Sequence, residues 1–129
     1  MNRSEPGTLD GRAPSVAVVD ADRRVQQSLA EVLRVAGVDV VGTAGDVRSA
    51  LELMNEREPG VLLIDPRLPD LDAGTALLSS VRLGWPSTRI VVMGWSDSGE
   101  SRMPEVSTFV SKSAPSEEFV AAAIAACDC

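Results

Sequence analysis

Three short apolar runs set the rhythm of this chain, and each stops at an acidic or small residue. Val16-Ala17-Val18-Val19 leads to Asp20, Val61-Leu62-Leu63-Ile64 leads to Asp65, and Ile90-Val91-Val92-Met93 leads to Gly94. An uninterrupted apolar run of this length, with Pro59-Gly60 before it and Pro66 after it, predicts a strand buried on both faces, as in a parallel sheet covered by helices. Between the runs the period changes. Val25, Leu29, Val32, Leu33 and Ala36 recur at helical spacing, so a helix is predicted over 22–36, stopped by Gly37. A second strand follows at Val38–Gly42. It belongs nearer an edge, because Asp39 interrupts it. Val47, Ala50, Leu51 and Met54 predict a helix over 46–57 with Asp46 as its N-cap. Ala76, Leu77, Leu78 and Val81 predict another over 73–83, closed by Gly84 and Pro86.

The fourth strand is read at 89–93 and the fifth at Phe109-Val110. The segment from Trp95 to Pro104 holds Gly99 and three serines, enough for a turn or two of helix. Pro115 opens the last helix, with Ser113 as its cap. Strands alternating with helices predict a doubly wound α/β fold around a five-stranded parallel sheet, with a shortened fourth helix. The domain is read as residues 15–127. A flexible polar tail precedes it at 1–14, and 128–129 form the C-terminal end.

Composition narrows the function. The chain has 129 residues, 44% of them hydrophobic, a net charge of −7 and no histidine. This balance disfavours a nucleic-acid surface, which needs clustered Lys and Arg, and an anionic membrane surface. Without histidine, imidazole catalysis is excluded and zinc is disfavoured. No apolar run approaches the ~20 residues of a membrane span, and the N-terminus lacks the apolar segment of a secretory signal, so a cytoplasmic protein is expected. Cys127 and Cys129 stand too close in sequence for a relaxed bridge and are read as reduced thiols.

The candidate chemistry lies where the strands end. Asp20, Asp65 and Lys112 would converge at the carboxyl edge of the sheet, where open α/β sheets place their sites, with Asp22 nearby. Acids beside a lysine can hold a hard cation such as Mg²⁺ and orient a phosphoryl group. A carboxylate can also be the nucleophile and become an acyl phosphate. Singly, each of these residues is as well explained as a cap, a turn former or a solvated charge. The combination at three strand ends is more specific.

On these residues the chain resembles the receiver domains of bacterial two-component response regulators, a flavodoxin-like (βα)5 fold, from about Ser15 to Cys127. Val18-Val19-Asp20-Ala21-Asp22 is similar to the family's acidic pocket. Ile64-Asp65-Pro66-Arg67-Leu68-Pro69-Asp70-Leu71-Asp72 is similar to its phosphoacceptor strand and loop, and Phe109-Val110-Ser111-Lys112 to its strand-five aromatic and lysine. The resemblance implies Asp65 as phosphoacceptor, Lys112 as its partner, Phe109 as switch aromatic, and Asp20 with Asp65 at the metal. Two departures alter that implication. Ala21 stands where the family has its second acid, the direct metal ligand, so Mg²⁺ is expected to bind weakly. Gly94 stands where the family has Thr or Ser, so the phosphoryl group loses its hydroxyl partner; Ser96 is an imperfect substitute. The glycine that the family places after its loop acid is here Ala73, with Gly74 following.

Three functions are therefore weighed. The preferred one is an atypical stand-alone receiver, acting as a phosphorylation-independent docking module. It includes the narrower expectation of an accessory subunit in a larger complex such as the respiratory NADH dehydrogenase. The alternative is a receiver that accepts phosphate on Asp65 from a histidine kinase. The third, an enzyme using Asp65 as nucleophile, is set aside. The partner surface is expected on the last helix, where residues 119–127 carry no charged or strongly polar side chain. With Val120, Ile124 and Cys127 facing the sheet, Ala122 and Ala125 would point outward toward a protein partner or a second copy.

Overall fold

The computed structural model describes residues 15–95 and 108–127. The tail at 1–14, the shortened helix and Ser96 expected between strands four and five, and Cys129 lie outside the described residues. In chain order the elements are β1 (Ser15–Val19), α1 (Arg23–Val35), β2 (Asp39–Ala44), α2 (Val47–Arg57), β3 (Val61–Ile64), α3 (Leu71–Gly84), β4 (Arg89–Gly94), β5 (Thr108–Ser111) and α4 (Ser116–Cys127). The five strands form one parallel sheet in the order β2-β1-β3-β4-β5. β3 is central and β2 lies at an edge, as the uninterrupted and the interrupted apolar runs predict.

Strand pleating divides the core in two. Val16, Val18, Leu63, Val91 and Met93 pack on one face beneath Leu29 and Leu33 of α1 and Phe119 and Ala123 of α4. Ala17, Val19, Leu62, Ile64 and Val92 pack on the other beneath Met54 of α2 and Leu77, Leu78 and Val81 of α3. All four residues of β3 are buried. Burying each such side chain stabilises the fold by about 1.5–3 kcal/mol relative to exposure.

Side chains at the helix starts fix where α1, α2 and α3 begin. The Asp22 carboxylate accepts from Arg24 N–H at 2.9 Å, and Gly37 takes the left-handed φ of 90° that ends the α1 turn. Asp46 and Ser49 form a reciprocal cap on α2. Asp70 caps α3 by accepting from Ala73 N–H at 2.9 Å. That cap starts α3 two residues earlier than the apolar spacing suggests. Ser113 is not the α4 cap: its hydroxyl lies 2.8 Å from that of Ser111, and the helix begins after Pro115.

The phase of α4 also differs from the expectation. Phe119 and Ala123 are buried, with Val120, Ala122, Ala126 and Cys127 packed half-buried against the same core. Ile124 is 37% exposed and shares the outer face with Ala121 and Ala125. So Ile124 does not face the sheet, and Ala122 is not a fully outward residue. An almost wholly apolar helix carries no periodic signal from which to read its phase. The Phe119 ring, the largest side chain in α4, sets it.

Candidate functional site

The site is built from the ends of β1, β3 and β5. Each carboxylate is held by its own strand and the turn that follows. Asp20 N–H donates to the Ala44 carbonyl at 3.0 Å, Asp20 Oδ1 accepts from Asp22 N–H at 2.8 Å, and Gln26 Nε2 donates to the Asp20 carbonyl at 2.7 Å. Asp65 N–H donates to the Val19 carbonyl at 2.9 Å, and Asp65 Oδ1 accepts from Arg67 N–H at 3.1 Å. The loop after Asp65, which contains a cis Leu68–Pro69 bond, rests on α3 at Gly74. A Cβ at that position would lie 1.7 Å from the Pro66 carbonyl oxygen, so only glycine lets the loop sit there.

Lys112 closes the cluster. Its backbone N–H donates to the Gly94 carbonyl at 2.8 Å, which ties the end of β5 to the end of β4. Its Nζ donates to Asp65 Oδ2 at 2.6 Å and lies 2.7 Å from Asp20 Oδ2. The second contact is a close ion pair with Asp20 Oδ2, which is itself buried. Both acids are nearly buried, Asp20 at 2% and Asp65 at 7% exposure. Burial works against the charged ammonium. The two carboxylates outweigh that cost and hold the Lys112 pKa above the ordinary lysine value.

The structure thus brings together Asp20, Asp65 and Lys112, the three residues that the sequence places at strand ends. It does not bring in Asp22, whose carboxylate is occupied as the α1 cap. Ala21 is exposed and offers a methyl group. Gly94 is buried and pairs in register with Ser111, whose hydroxyl is engaged with Ser113. Phe109 is half-buried against the core on the α2/α3 face. Gln26 and Gly74 were not anticipated as supports of the site. A polar residue on a helix gives no hint of a bond to a carbonyl in the preceding turn, whereas Gly74 beside Ala73 offers the trace of a displaced glycine.

The chain belongs to the response regulator receiver domain family, whose model matches residues 16–124. Its fold is similar to that of the chemotaxis response regulator CheY4 of Vibrio cholerae, with a TM-score of 0.77 and 22% identity, covering 88% of this chain and 98% of that one. It is likewise similar to the receiver domain of the Francisella response regulator 1452, with a TM-score of 0.74 and 25% identity over 88% of this chain and 95% of that one. Among curated proteins it is 40% identical over 73 residues to a protein-glutamate methylesterase/protein-glutamine glutaminase of Anaeromyxobacter dehalogenans. That match covers 56% of this chain and 20% of the relative. It is 29% identical to the transcriptional regulatory protein CitT of Bacillus subtilis, over 60% of this chain and 34% of that protein. The chain therefore spans a fifth to a third of the length of these two relatives.

Receiver domains commonly bind Mg²⁺ at the phosphorylation site. The donor set of this chain does not suit that ion. Each oxygen of Asp20 and Asp65 already faces an N–H or the Lys112 ammonium. Among the described residues there is no cluster of three acids able to hold a metal. Mg²⁺ demands near-ideal octahedral oxygen geometry, and the methyl group of Ala21 supplies no oxygen.

Proposed function

We propose that this receiver domain is a non-enzymatic, cytoplasmic docking module that works without a phosphorylation cycle. The observation that carries the reading is the ion cluster. Lys112 neutralises Asp20 and Asp65 from a position between them, while the residues that would add a metal and a phosphoryl hydroxyl are Ala21 and Gly94. The cluster fixes the ends of three strands, and it keeps the receiver shape in the absence of metal. Phosphoryl transfer depends on electrostatic stabilisation of the moving group, and two of the usual contributors are missing.

The docking face is assigned to the outer side of α4, where Ala121, Ile124 and Ala125 present small and apolar surface. A protein partner or a second copy approaches there; a larger assembly that carries this domain as an accessory subunit is included in the proposal. Affinity capture from the native cell, paired with light scattering of the pure protein, tests it. Ala125→Glu is expected to leave the fold intact and to abolish the association seen with the parent. The same complexes in mutant and parent would move the docking face elsewhere.

A further inference from the structure

Among the described residues, an unassigned concavity lies beside the charge cluster, between the first turns of α1 and α4. It has a volume of about 610 Å³, within the ~300–1,000 Å³ typical of small-molecule sites. Its floor is apolar: Leu29 and Phe119 are buried there and Met93 fully so, with Val25 half-buried at the wall. Trp95, 54% exposed, stands at the rim and offers an aromatic face. Groups capable of donating hydrogen bonds line it, among them the hydroxyls of Ser28 and Ser116, the Arg24 guanidinium and the Lys112 ammonium.

The two cations differ. Lys112 is committed to Asp20 and Asp65. The Arg24 side chain makes no ion pair among the described residues, so it is the cation available to an incoming anion. Asp22 also lines the pocket, its carboxylate held at the start of α1. That fixed negative charge disfavours a multiply charged ligand. An apolar floor, an aromatic rim, one uncommitted guanidinium and two hydroxyls together select a molecule with a ring body and one anionic head.

We propose that this pocket binds a small amphipathic monoanion, an aromatic or alicyclic carboxylate or sulfonate, with its ring on Leu29, Met93 and Phe119 and its head at Arg24. Lys112 forms part of the wall, so the occupant lies beside the group that bridges the two acids. The inference holds whether or not Asp65 accepts phosphate.

The probe is 1-anilinonaphthalene-8-sulfonate, an aromatic monoanion, set against its neutral relative N-phenyl-1-naphthylamine. The parent protein is expected to bind the anion saturably at one equivalent, with an unchanged urea midpoint to exclude binding by unfolded chains. Arg24→Gln should weaken binding about tenfold, the size of one charge-assisted hydrogen bond. Ser28→Trp should fill the cavity and abolish it. Amide shifts in the parent protein should move at Val25, Leu29 and Phe119 on adding the probe, which localises the site without any variant. Absence of saturable binding, equal affinity for the neutral relative, parent-like binding in Arg24→Gln, or shifts confined to another surface would each overturn the proposal.

Discussion

The two flanks of the carboxyl edge are built differently. On the β1–β3 flank, backbone hydrogen bonds pin both acids, Gln26 braces Asp20, and Gly74 lets the loop after Asp65 lie flat on α3. The β4–β5 flank keeps its lysine and half-buried aromatic, yet lacks a side chain at Gly94, and the in-register hydroxyl of Ser111 is turned to Ser113. The first flank holds its two acids in a hydrogen-bonded frame. The second presents no side-chain hydroxyl at the end of β4. The lesson is that the charge cluster of this fold can persist as architecture: two acids and a lysine brace three strand ends, whatever becomes of the chemistry.

Removing the brace should have the largest effect. Lys112→Met leaves two nearly buried carboxylates facing each other, and breaking a buried pair this way costs about 3–5 kcal/mol. Urea denaturation near neutral pH should show that loss, and adding Asp20→Asn to the variant should recover part of it. The pH dependence has a defined sign. Lys112 has a raised pKa in the folded protein, so its contribution is fully present below the pKa of an unfolded lysine and fades as pH rises through the folded value. Alkaline titration of the parent should therefore reveal a loss of stability that Lys112→Met no longer shows. A parent-like midpoint in the variant would remove the architectural role from the β5 flank.

The loop seat is next. Gly74→Ala puts a methyl group into the Pro66 carbonyl, and overpacking of this kind costs about 1–3 kcal/mol. Gly84, in the same helix with open space around its Cβ position, is the matched control: Gly84→Ala should be neutral or stabilising. If the two variants melt alike, the seat at Gly74 does not hold the β3–α3 loop. Ala21→Asp restores an acid on the β1 flank and should improve Mg²⁺ affinity by about tenfold or more, read by calorimetry; each tenfold is about 1.4 kcal/mol. Unimproved binding would mean that Ala21 does not limit the affinity for Mg²⁺. The smallest effect is expected at the α3 cap, where Asp70→Ala should cost about 1 kcal/mol in thermal or urea unfolding.

How far the sequence reveals this molecule depends on which force fixes each part. β1, β3 and β4 are legible because strands buried on both faces must be apolar throughout. Asp20, Asp65 and Lys112 are legible because they end such strands. The first turn of α3 was missed because its start depends on one carboxylate at Asp70, while the apolar spacing begins only later. The phase of α4 was misread because Ala and Ile at successive positions give no contrast, and the Phe119 ring decides which side turns in. Asp22 is expected near the cluster from its place after β1; the start of α1 takes its carboxylate instead. Gln26 carries no recognisable signal, since its partner is a carbonyl in the irregular turn before its own helix.

The most direct test of the central claim is intact-mass analysis of the full chain after incubation with acetyl phosphate and Mg²⁺. The parent protein is expected to keep its mass, because Ala21 and Gly94 leave Asp65 without two of the groups that stabilise a transferring phosphoryl. One added phosphoryl group on the parent, absent from Asp65→Asn, would contradict it and make Asp65 a working phosphoacceptor.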